Sequence, residues 1–119
     1  MDKKTILIGL DGVLNTFESD FVTEWYIPPV KRGAKDFLEQ FPPDKYELKL
    51  FTARPKDLVE KWLKKNKLEK YFSEVTDKLP PKTELIIDAH CLKFNGNYED
   101  LSWHIINFKP WYKIRTHWH

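Results

Sequence analysis

Three apolar runs in this chain each stop at residues that can do chemistry. Ile6-Leu7-Ile8-Gly9-Leu10 ends at Asp11-Gly12, the run from Tyr46 to Phe51 ends at Thr52-Ala53-Arg54, and Leu85-Ile86-Ile87 ends at Asp88-Ala89-His90. A carboxylate can carry a proton to or from a reacting group. A hydroxyl and the amides of a glycine-bearing turn can hold an anion, and a guanidinium can grip phosphate through two parallel hydrogen bonds. One polar strand end is ordinary, but three of them define a place where a small anionic molecule is expected to sit.

The elements that would position these residues follow from periodicity. Thr5 to Leu10 is almost unbroken apolar sequence, as in a strand covered on both faces of a parallel sheet. Tyr46 to Phe51 alternates apolar and charged residues and reads as a second strand, and Leu85 to Ile87 as a third. Val30, Ala34, Phe37, Leu38 and Phe41 fall on one helical face, which Pro42-Pro43 terminates. A second helix is expected over Lys56 to Asn66, with Leu58, Val59, Trp62 and Leu63 inward. A third carries Tyr98, Leu101, Ile105 and Phe108, with Asn97 as its cap and Pro110 as its stop. Alternating strands and helices specify an α/β domain, a doubly wound parallel sheet in three layers, spanning residues 1–119 as one unit. In such a sheet ligands bind beyond the carboxyl ends of the strands, so Asp11, Thr52 and Asp88 are expected at one mouth.

Composition narrows the partners. The 20 basic and 18 acidic residues of the 119 leave a net charge of +2, too small an excess for a protein that binds duplex nucleic acid. The longest apolar run is too short to cross a bilayer, and no cleavable signal precedes it, so a cytoplasmic location is expected. A single cysteine, Cys91, allows no internal disulfide. His90 beside it lacks companions at zinc spacing, and Cys91 is read as structural. The segment from Asn15 to Pro29 holds Phe17, Phe21, Trp25 and Tyr26 and suits a loop or small cap. The last nine residues, Trp111 to His119, are aromatic and basic. They are expected to pack on the body or on a partner subunit, and the surplus of aromatics points to a homodimer.

The strand ends, taken in order, resemble the motifs of the haloacid dehalogenase (HAD) superfamily of phosphatases, in particular small members with a minimal cap. Ile6 to Asn15 is similar to its first motif, Phe51-Thr52-Ala53-Arg54-Pro55 to the second, and Val75-Thr76-Asp77-Lys78-Leu79-Pro80-Pro81 to the third. Ile86-Ile87-Asp88-Ala89 followed by Leu92-Lys93-Phe94-Asn95-Gly96 is similar to the fourth. The resemblance implies an aspartate nucleophile that forms an aspartyl-phosphate, a second aspartate as general acid and base, a motif lysine, and magnesium held partly by the nucleophile. In this chain the nucleophile position is Gly9, the general acid is retained as Asp11, the motif lysine aligns with Leu79 between Lys78 and Lys82, and the second acid of the fourth motif aligns with Ala89.

With those three parts changed together, the resemblance implies a pseudo-phosphatase without catalytic residues, whose pocket binds a phosphorylated small molecule without turning it over. The ligand-binding set is then Asp11, Thr52, Arg54, Lys78, Lys82, Asp88 and His90, with Trp25 and Tyr26 as a base-side wall. No cofactor is expected beyond a weak Mg2+ site. The nearest analogy is to degenerate phage HAD-like proteins that capture nucleotide immune signals, which would place the protein in the host cytoplasm. On this reading Arg54→Ala should release the ligand and leave the fold intact. Two alternatives stay open: a magnesium-dependent phosphatase or nucleotide hydrolase that uses Asp11 on water directly, and a regulatory pseudoenzyme whose aromatic patches bind another protein.

Overall fold

A computed structural model of the chain describes residues 3–16 and 25–113. Four parallel strands, β1 (Lys4–Gly9), β2 (Tyr46–Phe51), β3 (Glu74–Thr76) and β4 (Thr83–Ile87), form one sheet in the order β3-β2-β1-β4. Helices α1 (Ala34–Leu38) and α2 (Lys56–Lys65) follow β1 and β2, and α3 (Tyr98–Asn107) follows β4. The chain steps from β1 outward to β2 and β3, then returns across the sheet to β4. The winding therefore reverses between β1 and β4, which makes this a doubly wound, Rossmann-like α/β fold with helices flanking the sheet.

Register fixes which side chains make the core. Ile6 pairs with Leu48 and Ile8 with Leu50, and side chains alternate along a strand, so all four share a face. Against that face pack Ala34 and Leu38 of α1, Val59 and Leu63 of α2, and Leu10, Leu14, Ile27 and Leu68 from the connections. The opposite face carries Leu7, Lys49 and Ile86 in one row. Lys49 is accommodated there by Glu74 on the neighbouring strand at 3.2 Å and Glu47 on its own strand at 3.8 Å.

The first expected helix is much shorter than its periodicity. Val30 bridges Asn15 in an antiparallel pair, Thr16 N–H donates to Pro29, and Lys31 N–H donates to Leu14. The segment before α1 is thus held extended against the loop after β1, and Gly33 at φ 90° turns the chain into the helix. Glycine reaches that conformation at no steric cost. At the far end Phe41 leaves the helix to stack edge-on between Phe37 and Tyr46.

The return from β3 to β4 is short for the distance it crosses. Three strand spacings separate these strands, about 14 Å, and Thr83 lies level with Thr5, roughly 13 Å below the carboxyl edge. Seven residue steps from Thr76 to Thr83 span about 23 Å fully extended, against a separation of about 19 Å. The crossover has no slack for a helix, so β4 receives little cover. Leu85 and Ile86 are exposed on opposite faces of the same strand.

Candidate functional site

Because β1, β2 and β4 are parallel, with Gly9 opposite Phe51 and Ile8 opposite Ile87, Asp11, Thr52 and Asp88 come to one edge of the sheet. What they do there differs from one to the next. The Asp11 carboxylate faces the buried Arg54 guanidinium in a two-pronged pair: Nε donates to Oδ2 at 2.9 Å and Nη2 to Oδ1 at 3.0 Å. Arg54 Nη1 donates to the Tyr26 carbonyl at 2.8 Å, tying the loop after residue 24 to the site. Thr52 Oγ1 accepts from the Arg54 amide at 3.1 Å, so this hydroxyl shapes the turn that aims the guanidinium.

In the structure the Arg54 fork, expected to grip phosphate, is engaged by a carboxylate that matches it in geometry. Asn15, fully buried, completes the arrangement. Its amide nitrogen donates to Asp11 Oδ1 at 2.9 Å and its oxygen accepts from the Gly12 amide at 3.0 Å. Reading the sequence for charge passes Asn15 over. A signal for it exists, since Asn is a turn-closing residue and it stands four positions after Asp11.

Around Gly9 the space is occupied. A Cβ added there would meet the Ile87 carbonyl at 3.2 Å and the Asp88 carboxyl carbon at 3.4 Å. Asp88 thus leans over the bare strand end, while its Oδ1 accepts from the His90 amide at 3.0 Å and closes its own loop. His90 Nε2 lies 2.6 Å from the Tyr112 hydroxyl. Tyr112 belongs to a 3-10 turn, Trp111–Lys113, in which Trp111 Nε1 donates to the Gly12 carbonyl and Lys31 stands over the Trp111 ring. Asp88 and this turn stand at the winding reversal between β1 and β4. The tail's first residues pack on the body; Ile114 to His119, and with them Trp118, lie outside the described residues, as do Phe17 and Phe21.

Gly12 shows how tight this packing is. It sits at φ 80°, and a Cβ there would lie 2.9 Å from Ala89 Cβ and 3.2 Å from the Tyr112 ring. Gly12→Ala is expected to destabilise the protein by about 2 kcal/mol, from the left-handed backbone and the contact together. A urea midpoint within error of wild type would show that the Tyr112 turn is not seated on this loop.

An open space lies one strand over. A cavity of about 550 Å³ beside β2 and β3 is lined by Thr52, Arg54, Lys56, Thr76, Asp77 and Lys78 among others, at the amino end of α2. Glu74 on its wall is paired with Lys49, whereas Lys56 and Lys78 have no ion-pair partner among the described residues. Lys78 is thus at the site. Lys82 is not: it precedes Thr83, at the amino edge of the sheet, roughly 13 Å or more from the mouth. The reason is the taut crossover, which carries the chain away from the site directly after Lys78. Trp25 and Tyr26 are both exposed beside the Arg54 contact.

Cys91 is exposed, and partial desolvation of its sulfur together with the nearby Asp88 charge pushes its thiol up from the usual range, away from thiolate reactivity. Magnesium does not fit the groups present. Both Asp11 oxygens are engaged, Gly9 offers no ligand, and the described residues contain no cluster of three metal-binding side chains. Among the described residues no helix is long and apolar enough to cross a membrane.

Sheet order and strand ends define the class: an α/β protein with a parallel sheet wound in both directions from β1. One solved structure, a conserved protein coded by a locus from Bacteroides thetaiotaomicron, shares this fold over 97% of this chain and 99% of its own, with a TM-score of 0.57 and 19% identity. No protein-family model and no curated protein matches the chain.

Proposed function

We propose that this protein is a HAD-like pseudo-phosphatase that binds a phosphorylated small molecule, a nucleotide, and holds it unchanged. The observation that carries this reading is the pairing of a disarmed strand end with an open polar cavity beside it. At Gly9 there is no side chain to attack phosphorus, and Asp11, which would serve as general acid, is held by Arg54 and Asn15. Next to them Lys56, Lys78, Thr52 and Thr76 line a space large enough for a nucleotide's phosphates and sugar. The first-turn amides of α2 add partial positive charge there.

The exposed rings of Trp25 and Tyr26 are placed to stack on a base, since aromatic faces accept any base. The likeness to degenerate phage proteins supports a nucleotide immune signal as the ligand and capture, not hydrolysis, as the role. Capture without turnover is what such a protein must do to lower the free concentration of a signal.

Calorimetry and thermal melting with a panel of mono-, di- and cyclic nucleotides test this. A ligand present at 100 times its Kd should stabilise the protein by about 2.7 kcal/mol. Lys78→Ala should weaken it about 10-fold or more, the loss typical of one charge-assisted contact. Trp25→Ala should weaken nucleotides and spare inorganic phosphate. Heat-released ligand should have its original mass. If no phosphorylated compound shifts the melting point, the reading fails and a protein-binding role replaces it.

A further inference from the structure

The single chain leaves β4 open in three directions. It is the last strand of the sheet, so among the described residues one of its edges has no neighbour. Leu85 shares its face with Ile6 and is 52% exposed; Ile86 shares the other face with Leu7 and is 42% exposed. Natural sheets protect such an edge with charge, proline or a cover. Here the only charged residue in the strand, Glu84, falls at the irregularity where the register with β1 shifts, and the ladder that follows is Leu85-Ile86-Ile87.

The chain after β4 repeats the pattern. Helix α3 is well capped, with Asn97 Oδ1 accepting from the amides of Glu99 and Asp100, yet buries none of its residues. Tyr98, Trp103, Ile105 and Ile106 are 60% to 81% exposed. At 100° per residue, Phe108, Leu101, Ile105, Tyr98, Ile106 and Trp103 cover more than half of the helix circumference. A helix apolar that far round is shaped for a neighbour on a second side. Its carboxyl end is anchored near β4, where the Phe108 and His90 rings lie 6.3 Å apart.

We propose that β4, with α3, is the two-fold interface of a homodimer in which β4 pairs antiparallel with β4 of a second copy. A two-fold axis brings a strand edge against itself antiparallel, so the patch is its own complement. That axis runs along the sheet normal and keeps every side chain on its own face, so with the axis at Leu85, Leu85 faces Leu85 of the other copy and Glu84 faces Ile86, and no two like charges meet. Leu85, Ile86 and the four exposed α3 residues present on the order of 800 Å² of surface, a ceiling on what they can bury that reaches the roughly 800 Å² per partner of a standard stable interface. Pairing closes the free edge and yields a continuous eight-stranded sheet.

Sedimentation equilibrium from about 1 to 200 µM on the full chain, with Ile86→Lys and Ile106→Lys beside wild type, decides this. Wild type should run at twice 14.3 kDa, and each variant should weaken association at least 10-fold with an unchanged circular dichroism spectrum. Should Ile86→Lys fail to fold, Ile106→Lys carries the test, because that side chain is 81% exposed in the single chain. Amide exchange at residues 85–87 should also slow as concentration rises. A wild type that stays at 14.3 kDa throughout, including one that recruits a different protein or a membrane instead, overturns the proposal. So does a dimer that Ile106→Lys leaves intact with exchange at 85–87 independent of concentration.

Discussion

Arg54→Ala is expected to destabilise the protein by about 3 kcal/mol, the low end of what removing one partner from a buried ion pair does. The guanidinium side chain is 5% exposed and the Asp11 carboxylate 30%, so the stranded carboxylate keeps some access to water. Its loss also removes the donor to the Tyr26 carbonyl and the group that Thr52 orients. For a domain of this size the melting point should fall by roughly 10 °C. Arg54→Lys should recover little, since a point charge cannot make both prongs. The double change Arg54→Met with Asp11→Leu should recover more, because no charge is then left unpaired. Urea denaturation measures all four proteins. A loss under about 1 kcal/mol for Arg54→Ala would mean that the pair is solvated and that Arg54 is available to a ligand after all.

Turnover is the second large effect, expected as an absence. Purified protein with magnesium should release no phosphate above background from generic or nucleotide substrates, and Gly9→Asp should not change that. The new side chain would enter space bounded by the Ile87 carbonyl and the Asp88 carboxyl group, 3.2 and 3.4 Å from its Cβ. A second carboxylate beside Asp88 raises the free energy of both ionised forms. Asp11 remains paired with Arg54, and position 79 is a leucine. Gly9→Asp should therefore lower stability without gain of activity, and adding Asp88→Ala should restore part of the stability. Steady phosphate release by wild type that disappears in Asp11→Asn would overturn the pseudoenzyme reading in favour of a hydrolase using Asp11 on water.

The fold was largely legible because its signals are local. The patterns at Thr5 to Leu10, Tyr46 to Phe51 and Leu85 to Ile87, and the helical spacing over Lys56 to Asn66 and from Tyr98 to Phe108, each state their structure to within a few residues of the elements that form. Glu74–Thr76 was too short to carry a period of its own, and it is a strand because Leu50 and Phe51 offer Val75 and Thr76 a ladder. The Val30 to Phe41 pattern promised a longer helix than forms. Its first turn loses to hydrogen bonds made with Leu14 and Thr16, which lie far enough away in sequence that no helical wheel includes them.

The candidate site divides in the same way. Residue types alone establish that Gly9 cannot be a nucleophile and that Asp11, Thr52 and Asp88 end their strands, since a side chain's chemistry and a strand's end are properties of the chain itself. Which charges are spent is not such a property. That Arg54 answers Asp11 across 43 positions, that the Trp111 turn seats on Gly12, and that Lys82 is carried to the far edge by a crossover with no slack are consequences of strand order. Electrostatic and packing energies depend on distances through space, and only the folded sheet sets those distances.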